Sequence, residues 1–178
     1  LCLLKPALQR IHSDYGTTPS GGNGGGGGEA KSKKLSAPPP HPLAAYLRLH
    51  GNVDILCLQE HKIPYTELSS RSEPRRCSTI DGYESFWSCA TDRKCRGFNG
   101  AVTYARVGTV RGADASPLGH PELDGQGRCV MTDHGDFVAF NAYVPHSSSR
   151  NARETLPRKM RFLNALRDAM RRKREKGG

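Results

Sequence analysis

Three short stretches carry side chains that could do chemistry together. The first is DILCLQEHK, residues 54–62, where an apolar run hands over to Glu60, His61 and Lys62. A carboxylate left alone in an apolar setting costs several kcal/mol, so Glu60 needs a partner. One candidate partner is Mg²⁺, which keeps several waters and takes one or two carboxylates plus substrate phosphate. The simpler partner is Lys62 or a nearby arginine, and spacing alone favours that ion pair. The second stretch is FNAYVPH, residues 140–146. Strand alternation puts Asn141 and Tyr143 on one face, with His146 just beyond Pro145, an array able to hold a phosphate or a water. A buried tyrosine satisfied by a backbone carbonyl explains the same residues. The third is RGFNG, residues 96–100, a basic loop flanked by glycine that could approach a phosphate backbone or simply connect two strands.

The elements needed to position these groups are legible in the hydrophobic pattern. Leu4, Leu8 and Ile11 predict a helix over residues 3–12 with Pro6 in its first turn. A second helix runs over 43–49 and stops at Gly51 as at a C-cap. Residues 53–60 are apolar on both alternating faces, which predicts a strand covered on both sides. Residues 83–90 and 100–108 alternate as strands. Residues 127–146 predict a hairpin turning at 133–136. Residues 156–175 form an amphipathic helix whose inner stripe is Met160, Leu163, Leu166 and Met170. Helix, strands, hairpin and helix together predict a mixed α/β (α+β) domain.

Composition limits the partners. The chain has 178 residues and a formal charge of +10, and much of that excess lies in residues 158–176, with nine Lys/Arg against Asp168 and Glu175. Such a stripe suits a polyanion, nucleic acid before an acidic membrane, or else a solvated helix face. Residues 20–42 are rich in glycine and proline with almost no large apolar side chain, which predicts a disordered insertion. No apolar run approaches the length of a membrane span, so no membrane partner is expected. The six cysteines form no paired metal-binding pattern. Reduced thiols in the cytosol or nucleus are the economical reading, with Cys89 and Cys95 as an alternative disulfide or redox pair.

Taken in order, the segments DILCLQE-x-K, GY-x-S-x-W, RGFNGAVTY, DGQGRCVMTDHGDFVAFNAYVPH and KMRFLNAL strongly resemble the exonuclease III-like AP endonucleases of the endonuclease/exonuclease/phosphatase superfamily. The YVPH ending, the serine-rich loop and KMRFLNALRDAMRR look closest to the eukaryotic type-2 AP endonucleases. The resemblance runs from residue 51 to about residue 172 and extends faintly to LKPALQRI. It implies a four-layer sandwich, two β-sheets face to face with helices outside. It also implies Mg²⁺- or Mn²⁺-dependent cleavage of DNA at abasic sites in base excision repair, with 3′-exonuclease or 3′-phosphodiesterase activity, in the nucleus. Carried over residue by residue, Glu60 matches the metal-binding Glu, and Lys62 the Lys that organises the acidic cluster. Tyr143 matches the active-site Tyr, and His146 the phosphate-contacting position after the proline. Arg96, Gly97, Phe98 and Asn99 match a loop that touches the DNA backbone, and Asn141 is expected among the DNA-binding residues with them. Phe98 and Asn99 stand where the family has Tyr and Ser, which leaves one hydroxyl contact unaccounted for. Lys5 falls near a basic DNA-contacting position.

The sequence also departs from the family. The Trp-Asn strand that carries the first metal-site Asn is missing, and Cys2 and Leu3 occupy its neighbourhood. Neither the G-D-x-N motif nor the terminal S-D-H motif is present. The expectation is therefore an incomplete sandwich: residues 1–19 a remnant of the nuclease domain, 20–42 the insertion, and 43–178 the N-terminal half of the domain. Such a polypeptide alone is expected to be inactive and marginally stable, because one sheet would lack its partner. A non-catalytic DNA-binding remnant of a nuclease fold, or another phosphodiesterase of the superfamily, are the alternatives.

Overall fold

The computed structural model describes residues 42–49, 53–68, 78 and 80–177. The helix expected over 3–12 and all of the 20–42 insertion except Pro42 lie outside the described residues. The elements run α1 (Pro42–Leu49), β1 (Ile55–Gln59), α2 (Tyr65–Leu68), β2 (Tyr83–Ser88), β3 (Ala101–Arg106), β4 (Gly112–Asp114), α3 (Pro121–Asp124), β5 (Cys129–Asp133), β6 (Val138–Ala142) and α4 (Ala152–Glu175). The strands form two antiparallel three-stranded sheets, ordered β1-β3-β2 and β4-β5-β6.

Period-two alternation decides what each face touches. In β3, Ala101 and Ala105 turn toward the other sheet, where they pack with Phe86, Val110 and Val130. Val102 and Tyr104 point the opposite way, onto Leu47 of α1, Leu68 of α2 and Trp87. Alanines at the sheet-to-sheet contact leave no bulk to hold the layers apart. On the far side Cys129 of β5 packs with Phe162 and Ala165 of α4 and with Leu118 and Leu123. The layers are therefore helix, sheet, sheet, helix, the expected α+β sandwich.

Three expectations need correction. Among the described residues β1 is not covered on both sides: it bonds only to β3, with Cys57 and Gln59 exposed. The helix α4 begins at Ala152 and takes Pro157 into its second turn. Its inner stripe is Phe162, Ala165 and Ala169, with Leu166 packed against it, whereas Met160 and Met170 are about half exposed. Small alanines let the helix axis come close to the sheet, and the methionines are left to flank the contact. Among the described residues no helix is long and apolar enough to cross a membrane. Cys57, Cys89, Cys95 and Cys129 are free thiols, and burial pushes Cys89 and Cys129 up to about 12.

Candidate active site

Backbone hydrogen bonds, more than side chains, assemble this site. Beyond β1 the chain makes a tight turn in which Glu60 and Lys62 both take left-handed conformations, φ 61° and 59°. Each such non-glycine residue costs roughly 1–2 kcal/mol. The cost is offset by pairing with the loop before β3: Glu60 N–H donates to the Gly100 carbonyl at 2.7 Å and Lys62 N–H to the Asn99 carbonyl at 2.8 Å. That loop is held in turn from the β5 side. Gly100 N–H donates to the Gly127 carbonyl at 2.9 Å, and the buried Asn99 side chain donates from Nδ2 to the Gln126 carbonyl at 3.0 Å. LQEHK, RGFNG and the segment leading into β5 thus form one connected platform.

The platform meets the end of β6 through the Asn141 side chain. Gln59 Nε2 donates to Asn141 Oδ1 at 2.6 Å, while Asn141 Nδ2 donates to the carbonyls of Leu58 (3.1 Å) and Val102 (2.9 Å). Asn141 is 3% exposed and its amide is spent on joining the two sheets. Its expected place among DNA contacts is therefore corrected: a side chain sealed between sheets cannot reach a backbone phosphate. Asn99 is likewise buried, so its side chain holds the loop, while Arg96, Gly97 and Phe98 are exposed at the loop tip. Tyr143 lies just past β6 at the same end of the sandwich as Glu60, and His146 is exposed beyond Pro145.

Arg128, to which the sequence pattern of DGQGR assigns no role, links these groups. Its Cζ lies 4.8 Å from the centroid of the Tyr143 ring, and its guanidinium donates to the Tyr143 carbonyl at 3.1 Å and to Gln126 Oε1 at 3.2 Å. The Tyr143 N–H donates back to the Arg128 carbonyl at 2.7 Å. Burial lowers the guanidinium pKa; Tyr143 and Cys95 oppose that, Arg158 adds to it, and Glu60 opposes it. Arg128 therefore feels both Glu60 and Tyr143. A half-buried cation stacked on a phenol is a ready counter-charge for a phosphate.

Glu60 and Lys62 form an ion pair at 3.5 Å with both side chains about half exposed. The simple partner foreseen from spacing is thus present, and a pair so exposed contributes little to stability. Between them, His61 accepts from Ile63 N–H at Nδ1 (3.0 Å) and meets Trp87 edge-on at 4.8 Å. Burial drives its pKa down to about 4, against smaller opposing pulls from the backbones of Ser88 and Ala101. The ring is neutral at pH 7. Among the described residues no group of three or more His, Cys, Asp or Glu could hold a metal ion. One half-exposed carboxylate fits the open Mg²⁺ mode, in which water and phosphate supply the other oxygens, and does not make a site held by protein alone.

No family model matches the chain. Among solved structures it is similar to the catalytic domain of APE2 from Xenopus laevis, with a TM-score of 0.54 and 23% sequence identity over 70% of this chain. The fold is that of an AP endonuclease catalytic domain. The match spans 46% of the frog domain, so the chain covers less than half of that structure. Within this AP endonuclease-like fold, Glu60, the 96–100 loop and Tyr143 gather at one end of the sandwich.

Proposed function

We propose that the protein carrying this chain is a Mg²⁺- or Mn²⁺-dependent DNA-(apurinic or apyrimidinic site) endonuclease of base excision repair, with 3′-exonuclease or 3′-phosphodiesterase activity, acting in the nucleus. The observation that carries the reading is the connected platform. Three separated motifs converge on one end of an AP endonuclease-like fold, tied to one another by backbone hydrogen bonds. Glu60 would hold the metal, whose contribution is to polarise the phosphate and stabilise the leaving oxygen. The chain's own residues bind and orient the substrate. Lys62 pairs with the Glu60 carboxylate and orients it. Arg128, stacked on Tyr143, neutralises a non-bridging phosphate oxygen, and the Tyr143 hydroxyl and the exposed His146 donate to the same group. Arg96 and Phe98, at the exposed loop tip, touch the neighbouring backbone. Removal of the water proton is assigned to none of the described residues.

An incision assay on a duplex with one abasic-site analogue tests this. The protein carrying this chain is expected to cut at the lesion in Mg²⁺ and to stop in EDTA. Glu60→Gln is expected to slow it by about 10²–10³-fold, the scale for losing one preorganised electrostatic group. Equal cutting of undamaged duplex, or a rate indifferent to Glu60, overturns the reading. Binding with no cutting by the whole protein points instead to a non-catalytic DNA-binding module.

A further inference from the structure

We propose that His61 is a positioning residue: its ring is the wedge that holds Glu60 and Lys62 in register with the 96–100 loop. The inference rests on the reading of Glu60 as a metal ligand. Three observations converge on the ring. First, it occupies the middle of a turn whose two flanking residues are both left-handed, at φ 61° and 59°. Neither Glu60 nor Lys62 favours that region, so something must hold both there.

Second, the ring is held by two close neighbours. Trp87 meets it edge-on at 4.8 Å from inside sheet β1-β3-β2. Gly100 lies against it so closely that a Cβ there would collide with ring atoms Cε1, Nε2 and Cδ2. Gly100 has φ 104°, a conformation that suits glycine, and its carbonyl is the acceptor for Glu60 N–H. The glycine of RGFNG is therefore matched to the histidine of LQEHK. Third, Nδ1 accepts from Ile63 N–H, which closes the turn on its C-terminal side and puts the ring proton on Nε2. That atom is shut off from solvent and has no hydrogen-bond partner of regular geometry among the described residues. Glu60 and Lys62 flank His61 in the chain, so displacing the ring disturbs the backbone of both.

A double-mutant cycle with two readouts tests the assignment. The variants are His61→Ala, Gly100→Ala and the pair. Amide exchange of the Glu60 and Lys62 N–H groups is read by mass spectrometry on the 178-residue chain. The Mg²⁺ concentration for half-maximal incision, with kcat and KM separated, is read on the protein carrying it. Each single variant is expected to speed exchange at those two amides by about tenfold or more and to raise the Mg²⁺ requirement by a similar factor. Because the cavity left by His61→Ala accepts the new methyl, the pair is expected to fall well short of the product of the two effects. The left-handed strain of alanine at position 100 is common to both backgrounds and cancels. His61→Asn, whose Oδ1 can still accept from Ile63 N–H, is expected to restore part of the protection. If the two effects simply multiply, or if exchange rises equally throughout β2 and β3, the ring is ordinary core filling and the inference fails. If Glu60→Gln leaves incision and its Mg²⁺ dependence unchanged, the metal reading itself falls and takes the positioning role with it. If Glu60→Gln abolishes incision while His61→Ala leaves the Mg²⁺ requirement untouched, the inference alone fails.

Discussion

At the scale of single residues, the chemistry of this end of the molecule follows from which side chains are shielded from water. His61 illustrates the consequence for pH. Its folded pKa is depressed by burial to about 4, while in the unfolded chain it sits near the ordinary value of 6.5. Between those two values the unfolded state binds the proton and the folded state does not. Stability is therefore lost as pH falls from about 6.5 toward 4, and the loss levels off below that window. The shift corresponds to on the order of 2 kcal/mol after allowing for the ring's partial exposure. Urea unfolding at pH 7 and pH 4.5 is expected to show that difference in the natural chain and to lose most of it in His61→Gln. Equal pH dependence in both would sink the account. The same shielding explains what the residue types alone concealed. Asn141 looks like a substrate contact because Asn and Tyr alternate onto one face, yet depth separates them: Asn141 lies between the sheets and Tyr143 lies past their edge. Arg128 is invisible to pattern reading because an arginine following glycine in a turn carries no periodic signal. Its role comes from a ring fifteen residues away.

At the scale of elements, alternation was enough to place strands and faces, whereas the order of strands was not written locally. The runs at 83–88 and 101–106 carry their own period of two, and the hairpin 129–142 closes on the expected turn, where His134 N–H donates to the Phe137 carbonyl at 3.0 Å. That β1 pairs with β3 rests on a strand some forty-six residues later, information that hydrophobicity on both faces of β1 does not contain. Helix α4 shows a second kind of ambiguity. Both the methionine stripe and the Phe162-Ala165-Ala169 stripe have helical spacing, and only close approach to β5 and β6 selects the smaller side chains. The tie between sheets yields its own test. Asn141→Ala removes the donor that serves the Leu58 and Val102 carbonyls and the acceptor that serves Gln59, leaving buried groups unsatisfied. A loss of about 2–4 kcal/mol in the midpoint-derived unfolding free energy is expected. A loss under about 0.5 kcal/mol would mean that Asn141 does not join the sheets.

At the scale of the whole molecule, charge and architecture give different accounts of the basic helix, and geometry decides between them. Composition alone makes residues 158–176 the natural nucleic-acid surface. Yet α4 runs along the sandwich, and its C-terminal residues Arg171, Lys173 and Arg174 border a groove with Asp136, Phe137 and Val138, at the start of β6. Tyr143 stands at the other end of that strand, roughly 20 Å away at about 3.4 Å per residue. Screening at physiological salt reduces exposed charges to little beyond about 8–10 Å, so these three cations cannot help hold a phosphate at Tyr143. Arg158, near the start of the helix, lies on the side of the candidate site, since it acts on Arg128. The two groups of cations should separate in the salt dependence of DNA binding by the protein that carries this chain. Every phosphate the protein no longer neutralises makes the plot of log K against log salt shallower by about 0.9. Arg128→Gln is expected to produce about that decrease on an abasic duplex between roughly 50 and 200 mM salt. Changing Arg171, Lys173 and Arg174 together to Gln is expected to move the slope by less than Arg128→Gln does. If the triple change instead lowers it by about three times the value for one phosphate, DNA follows the helix rather than the platform at Glu60. The positive stripe, not the converged motifs, would then be the principal nucleic-acid surface of the molecule.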